Sequence, residues 1–215
     1  MIYFNKKDLI EYMSKKKKFK YDNAYENFNY KRIEELITHG MCVSNLAFLI
    51  AKELDCDEEF CKNIAMAGMV HDIGKVKVYS HIYAEEETDD KLNVEKIRYI
   101  RMHSELGYDI LSNNDFNDEV LEAVLYHHEN FDGSGYPNNL AGERIPLSAR
   151  ILRVCDVFSA LTSDRAYRKA FPIDMAVELM IDEVKNFDMK IFLAFMRVIH
   201  EVDIKKIIAV EHEKL

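Results

Sequence analysis

Residues 60–75, FCKNIAMAGMVHDIGK, join a helical apolar pattern to two adjacent polar side chains. Over residues 60–68 the apolar positions recur at the spacing of one helix face, and the pattern leads directly to His71 and Asp72. Gly74 predicts the end of this helix, because glycine is favoured just after a helix C-terminus. The stretch therefore predicts a packed helix that carries a polar pair at its end.

The helical spacing continues through most of the chain, which has only seven glycines and three prolines in 215 residues. A scarcity of turn-forming residues favours helices, and a chain of this length suits a single hydrophobic core. We predict an all-α fold with further helices over 33–54, 94–110, 120–128, 147–163, 173–186 and 188–210. The exception is 129–147, which holds three of the glycines and two of the prolines and predicts one long functional loop.

Composition argues against several classes of protein. The formal net charge of −9 disfavours binding to a nucleic acid polymer, which needs a broad positive surface. No apolar stretch approaches the roughly 18 to 20 residues that cross a bilayer, so we expect no membrane span and a cytoplasmic location. The four cysteines lack a CxxC spacing and are expected to be reduced thiols.

The histidines carry the functional signal. Five of the eight lie on or beside the apolar face of a predicted helix: His39, His71, His103, His127 and His128. One such histidine is usually a hydrogen-bonded core residue. Five of them, together with Asp72 and Asp156, predict a cluster that binds divalent ions, because a buried carboxylate needs a partner or a metal.

The spacing of these residues indicates more than one ion. Glu35 and His39 are four residues apart, so both project from the same face of one helix. Adjacent helical residues point about 100° apart, so neither the pair at 71–72 nor the pair at 127–128 is expected to chelate one ion side by side. We expect at least two ions, with a carboxylate such as Asp72 bridging them. Nitrogen and oxygen ligands suit iron, manganese, zinc, cobalt or nickel.

Several motifs together resemble a known family. HDIGK at 71–75 resembles the HD signature of the HD superfamily of metal-dependent phosphohydrolases. HHE at 127–129, followed by DGSGYP at 132–137, resembles the longer signature of its HD-GYP branch. The likeness continues through IPLSARI at 145–151, DVFSALT at 156–162 and RAYRKA at 165–170.

The resemblance implies an HD-domain helical bundle with an HD-GYP-type extension of C-terminal helices, over residues 31–215. It implies hydrolysis of a cyclic dinucleotide, typically cyclic di-GMP, to the linear dinucleotide or the mononucleotide by a hydroxide that bridges the metals. The implied ligands of two or three divalent ions are Glu35, His39, His71, Asp72, His103, His127, His128 and Asp156. Glu35 stands where some members have a carboxylate for a third ion, and iron or manganese is the metal we expect.

The resemblance also implies roles in catalysis and substrate binding. Asp72 and Lys75 would be catalytic, with Lys75 at the scissile phosphate. The implied substrate-binding residues are Lys75, Arg165, Arg168, Gly135, Tyr136 and Pro137. A structural role is also open to each group of residues, namely helix capping for the lysine, surface salt bridges for the arginines and turn geometry for the loop.

Two segments and two other functions stay open. The acidic stretch 81–91 departs from the family pattern and would either repel a dianionic substrate or form a solvated loop. Residues 1–30 predict a lysine-rich helical extension that could dock on a regulatory protein or on a second copy in a homodimer. The other functions are an HD-type phosphohydrolase of a different nucleotide or phosphate ester, and a non-catalytic module that binds a cyclic dinucleotide or a partner.

Overall fold

The computed structural model describes residues 23–82, 94–164 and 168–201. Within these ranges the chain forms nine α-helices: α1 (Asn23–Glu53), α2 (Glu58–Val70), α3 (Lys75–Ile82), α4 (Val94–Arg101), α5 (His103–Ser112), α6 (Asp118–Tyr126), α7 (Leu147–Thr162), α8 (Ile173–Asp182) and α9 (Met189–Glu201). Short 3-10 helices cover Gly142–Arg144 and Val184–Asn186. The predicted all-α fold is confirmed.

The N-termini of α2 and α6 follow from local sequence. Asp57 accepts a hydrogen bond from the Phe60 amide at 2.8 Å, and Asn117 accepts one from the Val120 amide at 3.0 Å. Side-chain oxygens at these positions satisfy amides that have no partner inside the helix. The caps therefore set the residue at which each helix starts. The C-terminal ends of α2 and α6 lead directly to His71 and His127.

The prediction of one continuous helix over 94–110 is wrong, because two helices meet at Met102. The Met102 amide bonds the Tyr99 carbonyl at 3.1 Å, a spacing of three residues that tightens the chain and ends α4. The next helix begins at His103. Similarly, the helix expected over 173–186 ends at Asp182 and is followed by a 3-10 turn.

Some expectations lie partly or wholly outside the described residues. They concern residues 1–22, most of the acidic stretch 81–91, and the end of the helix predicted over 188–210. The boundary proposed between residues 30 and 31 falls inside α1, which is continuous from Asn23 to Glu53.

The core is built around α7, which packs against α1, α6, α8 and α9. Ile151, Leu152 and Phe158 on α7 are fully buried, and the Phe158 ring contacts that of Phe195 on α9 with centroids 5.0 Å apart. Burying each large apolar side chain contributes about 1.5–3 kcal/mol. The same buried helix carries Asp156, so the core places an acid in the interior of the bundle.

One described segment, Ile33–Glu53 of α1, is long and apolar enough to cross a membrane by length and composition. This corrects the expectation that no stretch approaches that length. In the structure 56% of the apolar window is buried, and Val43, Leu46 and Ile50 lie in the hydrophobic core. The core helix of a helical bundle passes the same test, so the segment is weak evidence for a span.

Gly74 does not cap α2, as the sequence suggested, since α2 ends at Val70 and Gly74 directly precedes α3. A Cβ at this position would lie 1.9 Å from the His103 carbonyl oxygen and 2.7 Å from the Gly107 nitrogen. Glycine is needed because the turn touches the backbone of α5. This contact sets the turn at 71–74 directly against the start of α5.

We expect Gly74→Ala to lower the free energy of unfolding by about 1–3 kcal/mol, because the added methyl pushes the turn away from α5. Urea denaturation measures the loss. Gly107→Ala is the matched control, since its Cβ would meet a side-chain atom, Val124 Cγ1, at 3.1 Å and the Gly74 nitrogen at an ordinary contact distance of 3.5 Å, and we expect a smaller change. Parent-like stability of Gly74→Ala would contradict the close contact.

Candidate metal centre

Three histidines lie where helices end or begin, and each is oriented by a backbone carbonyl. His71 follows α2, His127 follows α6, and His103 opens α5 directly after α4. Each Nδ1 donates to the carbonyl three residues earlier, and the acceptors are Gly68 at 2.8 Å, Ile100 at 2.6 Å and Val124 at 2.6 Å. Because Nδ1 holds the proton, Nε2 of each ring is left with a lone pair for a metal.

The positions of adjacent ligands overturn one expectation. We expected that neighbouring residues could not approach one ion, because neighbours diverge on a helix. His127 and His128, however, offer ring nitrogens within 4.8 Å of each other in one cluster. Both residues follow the end of α6 at Tyr126, so the angular spacing of a helix does not apply.

His39 and Asp156 complete the cluster from inside helices. His39 lies within α1, and its Nε2 is 3.0 Å from Asp156 Oδ1 on α7. The other ring nitrogen, Nδ1, is 2.9 Å from Ser159 Oγ, one turn further along α7. All these side chains are buried, so the contacts are screened little by water.

The ligand atoms form two overlapping groups that share Asp72. One group contains Asp72, His103, His127 and His128, and the other contains His39, His71 and Asp72, with the atoms of each group within 4.8 Å of one another. Asp156 adds its carboxylate to the second group, since Oδ1 is 3.0 Å from His39 Nε2 and 3.8 Å from His71 Nε2. The expected bridging position of Asp72 therefore fits this geometry.

Two buried atoms have the properties expected of metal ligands. His71 Nε2 and Asp72 Oδ1 are buried and have no hydrogen-bond partner among the described residues. An unsatisfied buried polar atom costs about 1–3 kcal/mol. Both atoms are electron-pair donors, and a divalent ion beside each would satisfy it. Nitrogen and carboxylate oxygen together suit transition metals.

The charges of the cluster also favour a cation. Burial keeps the pKa of His127 and of His128 well below the usual histidine value, so both rings are neutral ligands. Burial would lower the pKa of His71 too, but the Asp72 and Asp156 carboxylates outweigh it and raise that pKa. Positive charge next to His71 Nε2 is therefore stabilised, and a metal ion would supply it.

Asp72 is held as a carboxylate despite being buried. Burial opposes its ionisation, but Lys75 and His71 outweigh burial and keep the pKa of Asp72 well below its usual range. Lys75 Nζ donates to Asp72 Oδ2 at 2.5 Å. Asp72 thus remains charged near neutral pH, as a bridging ligand must.

The loop at 129–147 covers one side of the cluster. Glu129, which is 1% exposed, accepts hydrogen bonds from the Asn138 amide at 2.7 Å and the Leu140 amide at 3.1 Å. The loop folds back so closely that a Cβ on Gly135 would lie 2.3 Å from the Asn130 nitrogen. This places the Tyr136 ring on His128, a histidine of the cluster.

The Tyr136 ring stacks on His128 with centroids 4.8 Å apart, and the Arg101 guanidinium lies over the Tyr136 ring at 5.2 Å from its centroid. Burial raises the pKa of the Tyr136 phenol, so it stays protonated. The Tyr136 ring is therefore a neutral aromatic surface in contact with both a histidine of the cluster and an exposed cation.

A family model described as HD domain matches residues 9–191. The chain belongs to the HD domain family. The resemblance that the motifs indicated is confirmed, and the match begins inside the segment 1–30 that the sequence set apart from the catalytic domain.

Relatives of this HD domain agree with the branch that the motifs indicated. The cyclic di-GMP phosphodiesterase response regulator RpfG of Xanthomonas campestris is 39% identical over 160 residues, 72% of this chain and 41% of the relative. The 3'3'-cGAMP-specific phosphodiesterase 1 of Vibrio cholerae is 35% identical over 161 residues, 74% of this chain and 37% of the relative. This chain thus spans about two fifths of the length of these two relatives.

Among solved structures, Bd1817, an HDG"Y"P protein from Bdellovibrio bacteriovorus, matches with a TM-score of 0.61 and 19% identity, over 77% of this chain and 52% of that one. At this identity the likeness concerns the fold. It agrees with the helical bundle described above for this HD domain.

The remaining predicted site residues have different positions. Glu35 is exposed on α1 and belongs to neither ligand group, whereas His39 on the same helix is buried. The Arg168 guanidinium donates to the carbonyls of Ala160 and Leu161 at the end of α7, at 2.8 and 3.0 Å. Arg165 lies outside the described residues. The roles of these three residues stay predictions.

Three contacts of this HD domain were not predicted. Ser159 lies three residues after Asp156, a spacing that places both on one helix face and could have indicated it. The role of Glu129 in anchoring the loop could not be read from residue types, because its hydrogen-bond partners are backbone amides. Arg101 reaches Tyr136 across 35 residues of sequence, and no local pattern indicates that contact.

We expect Glu129→Gln to destabilise the protein by about 1–3 kcal/mol, because one amide hydrogen-bond donor would replace a carboxylate oxygen that faces a backbone N–H. Limited proteolysis should show faster cleavage in the loop at 129–147. Glu143→Gln in the same loop removes an exposed charge and should behave like the parent. Equal cleavage rates for the two variants would show that Glu129 does not anchor the loop.

Proposed function

We propose that this HD domain is a metal-dependent phosphodiesterase that hydrolyses a cyclic dinucleotide. The observation that carries this proposal is the pair of buried ligand groups joined by Asp72. Two divalent ions in such groups would supply an activated water and polarise a phosphoryl oxygen. No serine or cysteine nucleophile is needed for this chemistry.

The chain's own residues fit hydrolysis of a phosphodiester. Lys75 Nζ lies beside Asp72, and its side chain is 21% exposed, so it lies at the edge of the cluster towards solvent. A cation there would neutralise negative charge that develops on the phosphate oxygens. Tyr136 would limit where a substrate can lie, because its ring covers His128.

Cyclic di-GMP is the substrate we propose, as the motifs implied. Support comes from the names of the relatives, which are phosphodiesterases of cyclic di-GMP and of 3'3'-cGAMP. The product would be the linear dinucleotide or the mononucleotide. Because the chain spans under half of these relatives, the activity of the whole protein is part of the proposal.

The finer features belong to the same proposal. The ions would be iron or manganese, with zinc, nickel and cobalt as alternatives that the ligand atoms also suit. A third ion would need Glu35 to turn towards the cluster. Arg165, Arg168, Gly135, Tyr136 and Pro137 would contact or shape the substrate. A cytoplasmic location and a regulatory partner or homodimer complete the proposal.

The test is hydrolysis of cyclic di-GMP by Mn²⁺-loaded protein, with products separated by chromatography. We expect Asp72→Ala to lose activity to background, because both ligand groups lose their shared carboxylate. Lys75→Gln should bind Mn²⁺ but lower kcat about 10²- to 10³-fold, the usual effect of losing one charge-stabilising donor. Lys77→Ala, an exposed position on α3, should behave like the parent.

Two results would contradict the proposal. Turnover of other nucleotides or phosphate esters with none of cyclic dinucleotides would favour the broader phosphohydrolase. Full Mn²⁺ occupancy without any turnover would favour a module that binds but does not cleave.

A further inference from the structure

His39 is oriented differently from the other interior histidines. His71, His103 and His127 each donate Nδ1–H to a backbone carbonyl three residues earlier. Those carbonyls lie at helix ends, where they lack partners within the helix. His39 lies in the middle of α1, where the helix itself uses the nearby carbonyls. It therefore needs a partner from another part of the fold.

That partner is Ser159 on α7. Its Oγ is 2.9 Å from His39 Nδ1, and the residue is fully buried, so no water competes for the contact. On the other side of the ring, Nε2 is 3.0 Å from Asp156 Oδ1. The imidazole of His39 thus lies between a hydroxyl and a carboxylate that are one turn apart on the same helix.

The two partners differ in the positions of the ring proton that they allow. Asp156 can only accept a hydrogen bond when ionised, so it favours the proton on Nε2. A proton on Nε2 would block that nitrogen as a metal ligand. The Ser159 hydroxyl can either donate or accept, so it can satisfy Nδ1–H in the tautomer that leaves the Nε2 lone pair available. Without the hydroxyl, that tautomer would bury an Nδ1–H with no acceptor in the described ranges, which is unfavourable.

We propose that Ser159 is a positioning residue that keeps His39 in the tautomer able to bind a metal ion. The inference rests on the two-ion centre of the proposed function. It concerns one half of that centre, because the Ser159 hydroxyl bonds His39, which belongs to the ligand group of His71 and Asp72. Removing the hydroxyl leaves Asp156 as the hydrogen-bonding partner of the His39 ring within the described part of the chain, and the ring then donates Nε2–H to Asp156.

The test is Mn²⁺ titration of the metal-free protein by calorimetry. We expect two Mn²⁺ per chain for the parent. In Ser159→Ala the affinity at one site should fall about 10- to 100-fold, as for other residues that orient a metal ligand. The second site should keep its affinity, which also shows that the variant is folded.

Two further variants separate positioning from packing. Ser148→Ala makes the same change at a buried serine of α7 that bonds the Glu119 carbonyl, and both Mn²⁺ sites should be retained. Ser159→Thr keeps a hydroxyl and should restore binding at the weakened site. In metal-free Ser159→Ala, ¹⁵N NMR of the His39 ring should show the proton on Nε2.

The possible outcomes are distinct. Two unchanged Mn²⁺ sites in Ser159→Ala, equal weakening of both sites, or a proton that stays on Nδ1 would each overturn the role of Ser159. Absence of Mn²⁺ binding by the parent would instead overturn the metal centre on which the proposed function depends.

Discussion

The site depends on one carboxylate that must lie within reach of two sets of imidazoles. Asp72 Oδ1 is 3.3 Å from His103 Nε2, while Oδ2 is 3.5 Å from His71 Nε2 and 3.8 Å from His39 Nε2. Such a charge is costly to bury unless cations surround it. Lys75 supplies one cation, and the histidine nitrogens leave room for metal ions as the others. The rest of the fold serves to bring these groups together.

Helix ends do most of this positioning. Because His71 and His127 directly follow α2 and α6, each ring satisfies a terminal carbonyl of its own helix while its Nε2 points to the centre. Gly74 then allows the turn after α2 to touch α5 at the carbonyl of His103. The same backbone contacts that end the helices thus position the candidate ligands, so we expect stability and metal binding to be coupled.

Sequence periodicity predicted most of the helices and indicated which polar side chains are buried together, because both depend on burial, which apolar spacing reports. It failed at features that apolar spacing does not report. The close approach at Gly74 depends on the backbone of α5, which is distant in sequence. The break at Met102 depends on a single hydrogen bond across three residues, and Glu35 is exposed although it shares a helix with the buried His39. The expectation that adjacent ligands diverge failed because it assumed a helix at residues 127–128, where the chain has already left α6.

In the proposed centre Asp72 bridges two metal ions. Anomalous X-ray diffraction from crystals of Mn²⁺-loaded protein tests this arrangement directly. We expect two manganese peaks about 3.5–4 Å apart, the usual spacing of a two-metal hydrolytic site, with one oxygen of Asp72 bound to each or one oxygen shared by both. A single peak, or two peaks of which only one contacts Asp72, would contradict it.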